Sequence, residues 1–239
     1  YMNPMFNLNI DIMEEIEIDL LGYPADAVSS GGAYVNVISK SGGNDFQGTV
    51  SFEYFNKSMQ ENLLSKDELT AAGLTQPSGW NEWSDYSLNI SGPIQKDRLW
   101  AFSNVRFLRW IKEFDHVDWE KTLSSERRIF TQDEVPHKEF SVFGKLTFRF
   151  APSLNFSTTY YLSSVAEDLF RLNLTDSLDR TAVSSRENDQ NHVFSGWFQW
   201  MANQNLHIYA HLGLIYRNFP LTYSENASPL SPRMYDIYY

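Results

Sequence analysis

The chain has 239 residues, with 19 Lys and Arg against 30 Asp and Glu and a formal net charge of −11. A hydrophobic fraction of 42% suffices for a folded core, and the acidity leaves no basic footprint for binding nucleic acid. The absence of cysteine removes disulfides, thiolate metal sites and cysteine nucleophiles, and no run of about 18 apolar residues marks a spanning helix. A membrane β-barrel stays open, because its strands alternate apolar and polar residues and average out in any hydropathy index.

Tyr1 opens the chain without an initiator Met, and no charged segment followed by an apolar one reads as a signal peptide. The end at Tyr239 is abrupt rather than a polar tail, so the chain reads as an internal piece of a longer protein. Residues 1–45 differ from the rest. Glu14 to Leu20 alternates acidic and apolar side chains and predicts a short strand, which Gly22 and Pro24 break. Gly31-Gly32 precedes a second short strand, Ala33 to Lys40, and Ser41-Gly42-Gly43-Asn44 is a turn.

From Phe46 onward the period is two. Val50, Phe52 and Tyr54 set the first strand, and Tyr86, Leu88 and Ile90 the second. Leu99 to Trp110 is the third, with a phase slip near Ser103-Asn104 that predicts a bulge. Phe140 to Phe150, Leu154 to Leu162, Phe194 to Trp200 and Leu206 to Tyr216 complete seven strands of about ten residues, the length a tilted strand needs to cross a bilayer.

The connections alternate in length. Residues 57–84, 112–137 and 166–190 are long, whereas the turns at Gly92 to Asp97, Ala151 to Ser153 and Asn203 to Asn205 are short. That is the layout of an outer-membrane barrel with long extracellular loops and short periplasmic turns, and it favours this architecture over a soluble β-sandwich. Trp100, Phe150 and Trp200 fall near the short turns and Tyr54, Tyr86 and Tyr160 toward the long loops, as two interfacial girdles would; the alternative is the ordinary preference of large rings for strands.

Two motifs carry a family resemblance. The stretch from Gly31 to Gly48, with Gly31, Gly32, Asn36, Lys40, Gly42, Gly43 and Asn44 at the marked positions, resembles the end of the plug domain of TonB-dependent outer-membrane receptors, most of all the Oar-like subgroup. Ser91-Gly92-Pro93-Ile94-Gln95-Lys96-Asp97-Arg98-Leu99-Trp100 is similar to that family's first barrel hairpin. The segment Gly22 to Asp26 departs slightly from the family pattern. The resemblance implies an all-β chain: residues 1–45 as the C-terminal part of the plug, and 46–239 as the first seven or so strands of a barrel of about 22. It also implies a place in the bacterial outer membrane, lipid around the barrel, more of the same barrel or neighbouring subunits along its edges, and TonB acting through a segment outside this chain.

No catalytic constellation appears, and no cofactor or metal is expected. His207 and His211 share a strand face, but solvated histidines are the simpler reading than a metal pair. Asp115, Asp118 and Glu120 lie in a loop that reads as solvated rather than as a calcium site. Trp80, Trp83 and Trp119 are candidates to stack on a flat ligand, with mutual loop packing the equal alternative. Glu53, Lys145 and Arg149 are expected to face the lumen and meet the plug. Two functions follow: energy-coupled uptake of a scarce nutrient without covalent chemistry, or a structural or adhesive barrel component without transport. A soluble carbohydrate-binding sandwich is the weaker third.

Overall fold

The computed structural model describes residues 9–19, 34–61, 65–71, 79–117, 130–170 and 184–223. The fold is all-β, in two antiparallel sheets. Strands β1 (Met13–Asp19) and β2 (Tyr34–Ser39) pair with each other. The large sheet is a meander of β3 (Gln47–Asn56), β4 (Gly79–Gln95), β5 (Leu99–Val117), β6 (Phe130–Ala151), β7 (Leu154–Phe170), β8 (Ser184–Asn203) and β9 (Leu206–Asn218). A last short strand, β10 (Leu221–Tyr223), pairs with the start of β8. Among the described residues no helix is long and apolar enough to cross a membrane.

The strands are longer than their alternation predicts. β4 to β8 have 17, 19, 22, 17 and 20 residues instead of about ten, and they take in the flanks of the stretches read as loops. The ladder continues through polar pairs such as Asp115 with Gln132 and His137 with Glu167. Backbone pairing needs no apolar side chain, so hydropathy marks only where one face is greasy. The bulge predicted at Ser103-Asn104 is absent: β5 pairs β4 and β6 in unbroken register there. The apparent slip comes from Phe102, an apolar residue on the polar face. A register shift does occur on β8, beside Asn188, whose φ is 53°.

The two faces of the large sheet differ in kind. Cross-strand rows on one face read Phe52, Tyr86, Phe107, Phe140, then Val50, Leu88, Val105, Val142, Leu162. This face is uncovered: Phe52 is 58% exposed, Leu88 40% and Leu212 57%. On β6 it runs from Phe140 to Phe150, about 34 Å of strand at the usual rise, or roughly 24 Å of height at a 45° tilt. The opposite face is polar, with Ser51, Asn89, Asn104, Arg106, Ser141 and Ser163 facing one another across strands.

The N-terminal layer lies on the polar face. A 3-10 turn, Ile10–Ile12, is capped by Asn9, whose side chain accepts from the Asp11 N–H. It inserts Ile12 among Phe102, Phe143 and Tyr161, with Met13 and Val193 packed around them. This small core explains why apolar residues interrupt the polar face at these strands.

Candidate functional site

The polar face and the layer on it form three zones. The first joins the two motifs. The Asn44 side chain donates to Asp97 Oδ1 at 2.6 Å, and its Oδ1 accepts from the Asp97 N–H at 3.0 Å and from Trp100 Nε1 at 2.7 Å. Asp97 holds φ at 62° in the turn. A Cβ on Gly42 would lie 2.9 Å from Ala101 N and C and closer still to its carbonyl oxygen, so only glycine permits this approach. Gly43 meets no such neighbour. The Phe46 ring lies where a Cβ on Gly92 would sit, a side-chain rather than a backbone neighbour.

The second zone is the middle of the face. Asn9 donates to Asn104 Oδ1 at 2.7 Å, and Asn104 in turn donates to Ser87 Oγ and Asn89 Oδ1, both at 2.9 Å. Asn104 is 1% exposed, so this network replaces water completely. Lys145 Nζ donates to the Ser39 carbonyl at 2.8 Å and to its hydroxyl at 3.2 Å. Lys40 Nζ donates to the Asp11 carbonyl at 2.9 Å, and Asn36 to Glu17 at 3.4 Å, tying the layer to itself. Arg106 and Asp85 form a forked pair on β5 and β4, with Nε to Oδ1 at 2.9 Å.

The third zone lies beyond the apolar band, toward the long connections. Rings from four strands touch in series: Phe55 stacks on Trp83, Trp83 meets Trp80 edge-on, Trp80 meets Trp110 edge-on, and Trp110 stacks on His137 at 4.4 Å. Lys112 sits over Trp80 at 5.1 Å. Beside the rings lies a buried charged network. His137 Nδ1 is 2.8 Å from Glu167, with Glu139 at 3.8 Å from Nε2. Arg186 bridges Glu167 at 3.1 Å and Asp189 at 3.5 Å, and Arg217 meets Asp189 at 3.1 Å. The shift beside Asn188 puts Arg186 and Asp189, three residues apart, on one face. Burial works to lower the His137 pKa, but the carboxylates of Glu139 and Glu167 outweigh it and hold the imidazole above its ordinary value.

Several sequence expectations can now be located. Lys145 reaches the N-terminal layer. Glu53 lies on the polar face opposite Asp85, and Arg149 lies over the Trp100 ring at 5.2 Å. Trp80 and Trp83 pack against other rings. Trp119, Gly31 and Gly32 lie outside the described residues, as do the side chains of Asp115, Asp118 and Glu120. Of the residues read as a girdle near the short turns, Trp200 is on the apolar face, but Trp100 is on the polar face, bonded to Asn44. His207 and His211 hydrogen-bond to Gln199 and Ser195, and four residues of strand separate them by about 13 Å. The charged network went unseen in the sequence because its members come from four strands with no shared spacing, and the stretch around Asn188 is polar throughout, with no alternation to mark the shift.

No protein-family model matches the chain, and no solved structure matches it. Among curated proteins, the TonB-dependent transporter Oar of Myxococcus xanthus is 24% identical over 136 residues. That match covers 54% of this chain and 13% of the relative's length. The chain is thus distantly related to a TonB-dependent transporter, and its all-β antiparallel fold agrees with that relationship.

Proposed function

We propose that this chain is part of an outer-membrane receptor for energy-coupled nutrient uptake. The observation that carries the reading is the two-sided sheet: an uncovered apolar face of membrane height, backed by a polar face that holds the N-terminal layer. In water such an apolar face would need a partner sheet; in lipid it is already solvated. The polar face then lines an enclosed lumen, and Glu53, Lys145 and Arg149 face it. The N-terminal layer, with the motif from Gly31 to Asn44, is the end of a plug. The free edges of β3 and β9 need further strands of the same barrel or neighbouring subunits, because lipid cannot satisfy their backbone N–H and C=O groups.

The long connections would then lie outside the cell, with Trp80 and Trp83 at the outer end of β4 and Trp119 in the sequence beyond β5 as candidates to meet a scarce nutrient. TonB, acting through a coupling segment elsewhere in the full protein, would pull on the plug. The relative's name as a transporter supports this reading over an adhesive or purely structural barrel. The full-length protein, expressed in a bacterial outer membrane, tests it. Panels of labelled iron chelates, oligosaccharides and peptides should include one imported only while the proton-motive force is maintained. Release of the protein from membranes without detergent, or no energised import across the panel, overturns the reading.

A further inference from the structure

Directly beyond the apolar band, Arg109 and Lys138 are cross-strand partners on the same face as Phe107 and Phe140. No register shift interrupts β5 and β6, so the two cations share this outer face, one row past the aromatic pair. Like charges directly opposite each other destabilise a sheet unless something neutralises them. The protein supplies only part of that. Arg109 donates through Nη1 to Glu82, which leaves its Nη2 and Nε edge without a partner among the described residues. The Lys138 ammonium has no partner among them, and its other neighbour across the sheet is Ala166. Among the described residues Glu113, Glu134 and Asp168 also lie on this face, farther from the apolar band; Glu113 is paired with Lys57 at 2.7 Å and Glu134 is bonded to Asn81.

We infer that Arg109 and Lys138 together hold a phosphate of a phosphorylated glycolipid in the outer leaflet of the membrane. This rests on the barrel reading above, which sets the apolar face in lipid and the long connections outside. Cross-strand neighbours have Cβ atoms about 5 Å apart, so the Lys138 ammonium and the open edge of Arg109 can converge on one phosphate from adjacent strands. Their long apolar stems allow the charged ends to reach the headgroup level. Tyr54, in the same row through Ser84, adds a ring with a hydroxyl at that depth. The layering runs from apolar rows to cations to carboxylates, so the attraction is centred at the height of the lipid phosphates.

The test uses the full-length protein in detergent, titrated with purified lipopolysaccharide and followed by native mass spectrometry. Each cation near a membrane surface changes binding by about fivefold, so R109Q/K138Q should weaken retention of the phosphorylated glycolipid by roughly 25-fold. Enzymatically dephosphorylated lipopolysaccharide should bind wild type and variant equally. Unchanged retention by the double variant, or equal affinity of wild type for the two glycolipid forms, overturns the inference. Preference for phosphatidylglycerol over lipopolysaccharide would also overturn it, by making the site one for any anionic lipid. The measurement does not depend on transport, so a protein that binds the glycolipid through these residues but imports nothing would sink only the uptake reading.

Discussion

Asn44 and Trp100 are joined by a 2.7 Å hydrogen bond from the indole N–H to the amide oxygen, across 56 residues of chain. The bond makes one structure of the two motifs that carry the family resemblance. Asn44 lies near the end of the N-terminal segment, and Trp100 is the second residue of β5, just after the tight turn at Asp97. The N-terminal layer is therefore pinned to the sheet at the point where the chain passes from one to the other.

Gly42→Ala should damage this junction more than Asn44→Ala. The alanine methyl meets backbone atoms of Ala101, which cannot swing aside, whereas Asn44→Ala removes side-chain bonds at an exposed site. Asn44→Ala is expected to cost about 1 kcal/mol and Gly42→Ala more. Denaturant midpoints of the full-length folded protein, read by heat-modifiable mobility on gels, check the order.

Asn104→Leu should loosen the N-terminal layer. It removes the acceptor for Asn9 and the donor for Ser87 and Asn89 in a buried site, leaving those partners unpaired at a cost of about 1–3 kcal/mol. Limited proteolysis of the assembled protein should cut faster between Asn9 and Lys40 in the variant than in wild type, with the sheet still intact. Equal cutting rates would mean the network contributes nothing to docking.

The two faces of the sheet should respond oppositely to charge. Val105→Lys puts a cation in the middle of the apolar face and should cost about 2–4 kcal/mol in lipid. Ser51→Lys, on the polar face of β3, should cost close to nothing. Urea unfolding in phospholipid vesicles measures both. Similar costs for the two would contradict a lipid-facing side.

Stability should fall as pH rises through the raised pKa of His137. A raised folded value means that the folded chain binds the proton more tightly, so the stabilisation is full below about pH 6.5, the free-chain value, and is lost above it. Deprotonation leaves Glu139 and Glu167 facing a neutral ring in a buried site. His137→Gln should flatten the pH dependence of the unfolding midpoint above that value, while wild type declines.

Alternation at Phe52, Leu88, Phe148 and Leu212 was enough to place strands and to assign their apolar side. A period of two is a property of the backbone itself and is read one residue at a time. The strand ends were not legible, because β5 and β6 continue pairing through residues such as Glu113 and Asp133 that no hydropathy pattern marks. Trp100 was misread for a related reason. Its position in the chain is near a turn, but its face is set by register with Thr147, which only the paired strand decides.

The sequence by itself determined the all-β class and the number of long strands, since each follows from local alternation and turn residues. Only the tertiary structure decided that Ile12 finds Phe102, Phe143 and Tyr161, that Asn9 meets Asn104, and that five charged residues from four strands gather around His137. Those contacts join residues far apart in the chain, and their energy depends on distance and burial, which no local pattern encodes.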